Sequence, residues 1–298
     1  MTPVLTQDGG YLPEVPISKK GCRARPSTYS PSVFTKDGRR ARPSLPTLPG
    51  ADGTIGRQGR GVRTGRLGTL VVEMLLGRED INPGMPDYNG RTPISYAAES
   101  GNWPIVELLL ARGGIRPDAA DHNGRTPLLF ATCERKVEVV RLLLEHPGVN
   151  PNASRSMGHT AISQAAILGC DGVVKLPLAC ESIRPDVPGW KGRTPLLSAS
   201  VFGYTEVRKF LLERKDVDPN TQDEEGHTAL FNAAAYGHIE VVKALLQHND
   251  TDINLGDGYG NTPLTCAAEE ANEEIVALLK VAEKLNGKTP NEDGDTVL

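Results

Sequence analysis

Aromatic residues are scarce, 5% of a 298-residue chain, and no run approaches the roughly 18 to 20 apolar residues that would span a bilayer. Met1 to Lys20 holds no apolar stretch ahead of a small-residue cleavage site, so no secretory leader is read there. With no membrane segment the chain is expected to be intracellular, cytoplasmic or nuclear. Cysteines are few and unpaired in pattern: Cys22, Cys133, Cys170, Cys180 and Cys266 form no Cys-x-x-Cys, and an odd total argues against a closed disulfide framework. Reduced thiols are expected. The six histidines are scattered, without the spacing of a four-ligand zinc site. Catalytic signatures are missing as well. There is no Gly-x-Ser-x-Gly elbow, no Gly-x-x-x-x-Gly-Lys-Ser/Thr phosphate loop and no His-Glu-x-x-His helix, and Arg60-Gly61-Val62-Arg63-Thr64 lacks the lysine that a phosphate loop uses. The sequence therefore points away from an enzyme and implies neither cofactor nor metal.

What the chain has instead is a repeat. A Gly-x-Thr signature opens in frame at Gly90, Gly124, Gly158, Gly192, Gly226 and Gly260, each 34 residues after the last. A fixed period of this length describes stacked units, and a stack of thin units has no deep central cavity, so function is sought on its surface. Thr92, Thr126, Thr160, Thr194, Thr228 and Thr262 hold the third position of each unit, followed by Pro in four units and Ala in two. A hydroxyl able to cap free N–H groups, with Pro behind it, predicts a helix start. Ala97, Ala131, Ala165, Ala199, Ala233 and Ala267 recur next, small enough for neighbouring helices to approach closely. Gly101, Gly169, Gly203 and Gly237 predict the end of this first helix. A second helix carries Ile105, Val139, Val173, Val207, Val241 and Ile275 and a Leu-rich run with apolar residues three to four apart. Polar Asp/Asn/Gly loops then lead into the next unit as turns or short fingers.

Helix, turn, helix and finger at this period, with Gly-Arg-Thr-Pro-Leu at 124–128 and 192–196, resembles the ankyrin repeat family over residues 90–293. Asp218-Pro219-Asn220 before a finger is similar to the long arrays of filamentous fungi. The resemblance implies an all-α solenoid of helix-turn-helix units with finger loops. It also implies a protein–protein interaction scaffold or adaptor that grips its partner with the finger tips and the concave face of the first helices. The family's His after Thr-Pro-Leu is replaced by Ser95, Leu129, Ser163, Leu197, Phe231 and Thr265, which weakens a network between loops and leaves the fold intact.

Six repeats are expected at 90–123, 124–157, 158–191, 192–225, 226–259 and 260–293, with 294–298 opening a further, truncated unit. Residues 67–89 read as a degenerate half repeat acting as an N-terminal cap, legible in Val71-Val72-Glu73-Met74-Leu75-Leu76, because Gly and Arg from Gly56 to Gly68 deny a first helix its apolar face. Residues 1–66 carry 12 Lys/Arg against 4 Asp/Glu, a net of +8, and are rich in Pro, Gly and Ser. They read as a disordered basic tail beside an array of net −12, from 21 Lys/Arg against 33 Asp/Glu. Arg-Ala-Arg-Pro-Ser at 23–27 and 40–44 gives a minor alternative, nucleic-acid contact or nuclear import. Within the array, Pro177 takes a Leu position of a second helix and Arg208 a Val position. Proline there removes a backbone bond, at about 3 kcal/mol, so cooperativity is expected to break near 158–191.

Carried over by position, the partner-binding surface comprises Tyr88, His122, Met157, Trp190, Phe202, Tyr236 and Tyr259, with an acidic finger at Asp223, Glu224 and Glu225 for a basic partner. Large aromatics dominate interface energies, and Trp190, Phe202 and Tyr236 fall close enough in frame to form one patch. The competing reading has Phe202 and Tyr236 simply packing on the adjacent helix. The chain is expected to be monomeric and to bind a protein whose identity the sequence does not give. A second function class stays open, in which the array is the regulatory or sensor fragment of a larger signalling protein or enzyme.

Overall fold

A computed structural model describes residues 60–286. The basic clusters at 23–27 and 40–44, the rest of the tail up to residue 59, Cys22, and the expected further unit at 294–298 lie outside the described residues. Thirteen α-helices are described. α1 (Arg60–Leu76) stands alone, and six pairs follow: α2 (Pro93–Ser100) with α3 (Trp103–Arg112), α4 (Pro127–Cys133) with α5 (Val137–Glu145), α6 (Ala161–Leu168) with α7 (Asp171–Leu178), α8 (Pro195–Phe202) with α9 (Thr205–Leu212), α10 (Ala229–Ala235) with α11 (Ile239–Leu246), and α12 (Pro263–Glu269) with α13 (Glu273–Asn286). No strand occurs among the described residues, only an isolated bridge between Ser154 and Thr160.

Each first helix starts where the threonines predict. Thr126, Thr160, Thr194, Thr228 and Thr262 accept the backbone N–H three residues on, while the Thr92 hydroxyl pairs with Ser95 Oγ instead. The positions vacated by the family's histidine are used in two ways. Ser163 and Thr265 return a bond to the cap backbone, and Leu129, Leu197 and Phe231 join the core at 1%, 0% and 1% exposure. Gly101, Gly169 and Gly203 end their helices in the left-handed region, where glycine has no Cβ penalty. Arg135 and Ala271 occupy the same frame position with φ of 56°, at a steric cost glycine avoids.

The pairs form two layers. First helices stack in order, α2 on α4 through to α10 on α12, and second helices stack behind them from α3 to α13, with α1 packed on α3. The recurrent alanines from Ala131 to Ala267 are fully buried between first helices, and Leu143, Leu211, Leu245 and Leu279 fill the second layer. Each such leucine contributes about 1.5 to 3 kcal/mol by leaving water. α1 extends back to Arg60, so the end of the segment read as tail is helical: propagating an existing helix adds one hydrogen bond per residue without a new nucleus. Cys133, Cys170 and Cys180 are free thiols.

Two irregular positions sit quietly in this frame. Pro177 is the penultimate residue of α7, and α7 ends at Leu178, in step with α9 at Leu212 and α11 at Leu246. The bond lost is the single one that residue 177 would donate to the Val173 carbonyl. Arg208 is buried in a column otherwise made of Val106, Val140, Val174 and Val242, and its Nε has no partner.

Units are also tied together by polar rungs at their junctions. Asn152 accepts the Arg184 N–H at 2.8 Å through Oδ1 and donates to the Ser182 carbonyl at 2.8 Å through Nδ2. Asn220 repeats both contacts with Asp252 N–H and the Asp250 carbonyl at 2.7 and 2.6 Å. Asp118 and Asp186 hold the alternate rungs and can only accept, from Asn150 N–H at 3.2 Å and Asp218 N–H at 3.0 Å. Their Oδ1 atoms are buried without partners, and burial pushes both carboxyls above the usual range.

Candidate functional surface

Each finger begins three residues before the signature glycine, and four of six begin with Asp87, Asp121, Asp223 or Asp257. One oxygen of that carboxylate accepts the backbone N–H groups two and four residues on, as with Asp121 and Asn123 and Arg125 at 3.0 and 2.8 Å. In the second and sixth fingers its other oxygen receives the side chain just after the glycine, Arg125 Nε at 2.8 Å and Asn261 Nδ2 at 2.9 Å. This is an Asx turn closed by a brace. The third and fourth fingers lack the aspartate, having Arg155 and Gly189 in its place, and turn instead with positive φ at Met157 and Lys191.

Losing both braces has consequences on the concave face. Arg193 reaches forward to Asp223 Oδ2 at 3.3 Å, and His159 is left with neither ring nitrogen hydrogen-bonded at 4% exposure. Burial, with Arg155 nearby, depresses the His159 pKa to about 4. Between α6 and α8 a pocket forms whose walls include His159, Ser163, Ile167, Trp190, Arg193 and Phe202.

The sequence-selected residues distribute as follows. Trp190 and Phe202 are half-buried and share that pocket, Phe202 stacking on Tyr204 at 5.8 Å between centroids and Trp190 carrying Lys191 Nζ 4.8 Å above its ring. Tyr236 repeats the Phe202 position one unit on, half-buried against His238, with its phenol pushed up to about 12 by burial. Arg193 lines the pocket with Trp190 and Phe202, whereas Tyr236 is not among its lining residues. Tyr88 and Tyr259 project from fingers at 88% and 83% exposure, Met157 is exposed at 44%, and His122 is exposed beside Gly90. The acidic finger is not a uniform acid patch. Glu224 is exposed, Glu225 is half-exposed and pairs with Lys191 at 3.3 Å, and Asp223 is buried inside its turn.

A second aromatic cluster escaped the sequence reading. Arg91 lies over both the Tyr96 and Phe130 rings at 4.0 and 4.3 Å, and Arg125 also lies over Phe130 at 4.7 Å. Tyr96 donates its hydroxyl to Asp87 at 2.6 Å, which holds that carboxyl below its usual range. Tyr96 and Phe130 share a frame column with Gln164, Ser198, Asn232 and Cys266, and this column was the signal that would have found them.

Comparison with known proteins fits this geometry. The model for ankyrin repeats (3 copies) matches residues 63–155 and 215–291, leaving out the stretch that holds the two fingers without aspartate. The solved ankyrin repeat domain of Bcl-3, described as a unique member of the IkappaB protein family, is 26% identical, with a TM-score of 0.61 over 70% of this chain and 92% of its own. An ankyrin repeat domain from Acinetobacter baumannii AYE is also 26% identical, with a TM-score of 0.60 over 64% of this chain and 97% of its own. No curated protein matches the chain. No described helix is long and apolar enough to cross a membrane. Six 34-residue helix pairs in two layers, joined by fingers and matched over more than half the sequence, make this chain a member of the ankyrin repeat family, whose arrays are generic protein–protein interaction modules.

Proposed function

We propose that the array acts as a scaffold or adaptor that binds another protein through its concave face, centred on Trp190, Phe202 and Tyr236. Exposed Tyr88, His122, Met157, Tyr259 and Glu224 extend this surface along the finger tips. The observation that carries the reading is the pocket between α6 and α8, where two aromatic rings and a guanidinium stand at the two successive fingers that lack the turn aspartate. Half-buried aromatics beside an arginine are the composition of binding hot spots, where truncation typically costs about 2 kcal/mol or more. Residues 67–89 serve as a degenerate half-repeat cap on α3, a role that the packing of α1 on α3 supports.

The test is a pull-down from native lysate with the full chain beside a Trp190→Ala, Phe202→Ala, Tyr236→Ala variant whose helical circular dichroism matches the parent. The proposal expects at least one protein retained by the parent and lost by the variant, followed by direct titration of that protein. An identical retained set for both would place the binding surface elsewhere.

A further inference from the structure

The fifth finger combines three residues that no other finger carries together. Before and after its glycine it carries Asp223, Glu225 and His227, where the others have Asp87/Asn89/Arg91, Asp121/Asn123/Arg125, Arg155/Met157/His159, Gly189/Lys191/Arg193 and Asp257/Tyr259/Asn261. Three side chains able to ligate a metal occur only here among the described fingers. The brace seen at Asp121 and Asp257 also fails to form. His227 Nδ1 makes no hydrogen bond and stands 3.5 Å from Asp223 Oδ1 and 3.5 Å from Glu225 Oε2, and Oε2 likewise has no partner. The imidazole is buried at 3% exposure and held by stacking on Phe231, 4.6 Å between centroids.

The remaining oxygens are already oriented from outside. Lys191 Nζ holds Glu225 Oε1 at 3.3 Å and Arg193 Nε holds Asp223 Oδ2 at 3.3 Å, both reaching across from the preceding finger. Two backbone N–H groups fix Asp223 Oδ1, those of Glu225 at 3.0 Å and His227 at 2.9 Å. Such outer partners are what orient ligands at metal centres.

We propose that Asp223 Oδ1, Glu225 Oε2 and His227 Nδ1 form a binding site for a divalent transition-metal ion, with zinc as the ordinary occupant. The triangle of ligand atoms has two sides of 3.5 Å and a third no longer than 4.8 Å. A point equidistant from its corners lies about 2.0 to 2.4 Å from each, against the roughly 2.0 to 2.2 Å of zinc bonds to nitrogen and carboxylate oxygen. One imidazole with two carboxylates suits a borderline cation, whereas calcium takes six to eight oxygens. A fourth ligand would come from water or from a donor on a bound protein. Spacing of histidines alone hides the site, because two ligands are carboxylates. A charged imidazolium lying between the same carboxylates is the competing account, and it needs no metal.

The experiment titrates zinc chloride into the full chain, stripped with chelator and exchanged to pH 7.5, with His227→Asn and Glu225→Gln in parallel. Asn261 braces Asp257 in the next unit, so Asn at 227 has a working precedent in this fold. Glu225→Gln replaces a side chain whose one partner is Lys191, and it carries the test if the first variant unfolds. The expected result is one equivalent bound by the parent, weakened at least tenfold in both variants while their metal-free helicity and unfolding midpoints stay near the parent's. Cobalt(II) in place of zinc gives a visible ligand-field band in the parent that both variants lack. Absence of uptake by the parent, or equal stoichiometry and affinity in all three proteins, overturns the proposal and leaves the imidazolium brace.

Discussion

Replacing Asp186 with Asn should stabilise the array, an unusual expectation for a substitution at a unit junction. Asn152 and Asn220, one unit to either side, each accept one backbone N–H and donate to one carbonyl of the following unit. Asp186 accepts the Asp218 N–H and the Thr221 hydroxyl, leaving Oδ1 buried and unpaired. By the same register its missing acceptor is the Asp216 carbonyl, whose distance along the chain matches Ser182 from Asn152 and Asp250 from Asn220. Gaining that bond is worth about 0.5 to 1.5 kcal/mol. Removing the charge adds less, because the half-exposed carboxylate is partly screened by solvent. The total expected is about 1 to 2 kcal/mol in urea unfolding at pH 7.5. The sign with pH follows from the raised carboxyl, pushed up mainly by burial. Folding favours its protonated form, so this contribution improves on acidification towards the ordinary aspartate range and is lost as pH rises through the folded value. A protonated Asp186 can donate as Asn does, and the advantage of Asp186→Asn should therefore shrink near pH 4. A destabilised variant, or a gap unchanged between pH 7.5 and pH 4, would refute the rung argument.

Four further outcomes are expected. Arg208→Val, which completes a column of buried valines, should raise stability by about 1 to 2 kcal/mol by removing a buried guanidinium nitrogen without a partner; a lower urea midpoint would count against it. Pro177→Leu should restore the bond to the Val173 carbonyl at a position held by Leu143, Leu211 and Leu245, adding about 0.5 to 1.5 kcal/mol because only that one bond at the helix end is regained. In the parent, hydrogen exchange should show weaker protection across 158–191 than in the flanking units, and uniform protection would sink that view. His159 has a depressed pKa, so its contribution is complete above the ordinary value of 6.5 and is lost as pH falls towards about 4, by at most about 3 kcal/mol. His159→Leu should flatten this acid limb, and an unaltered limb would assign it to other groups.

The period made the units legible because each carries the same answer to the same local problem. Thr before Pro marks the N-cap, Gly marks the left-handed exit, and Ala marks the close approach of first helices, so the helix pairs could be placed from 34-residue phase alone. Where residues depart from the repeat, residue type indicates a direction without a geometry. Pro177 looked disruptive, yet it sits where its helix ends anyway. Asp223 looked like part of an exposed acidic tip, but its frame position makes it the inward turn aspartate. The start of α1 at Arg60 was hidden because composition scores a segment's own propensity and omits the helix it extends. The grouping of Trp190 and Phe202 with His159 was also hidden, since it depends on two absent aspartates in successive fingers.

The left-handed glycines have a meaning beyond the turns they permit. A β-carbon on Gly169 would lie 2.6 Å from the Tyr204 ring, one on Gly203 2.6 Å from His238, and one on Gly101 2.7 Å from Lys136. Each glycine is thus a seat whose occupant is supplied by the following unit. Several occupants also cover bare helix-end carbonyls, as His238 does for Val201 at 2.9 Å and Asn272 for Ala234 at 3.3 Å. The second unit breaks the rule, placing Arg135 at the seat and sending its guanidinium forward to the Leu168 carbonyl at 2.9 Å. Units that share a fold are therefore not exchangeable parts. Moving the Arg135 unit directly ahead of the one bearing Tyr204 would press a β-carbon against a phenol ring, so the order of the array is written in the handedness of single backbone residues.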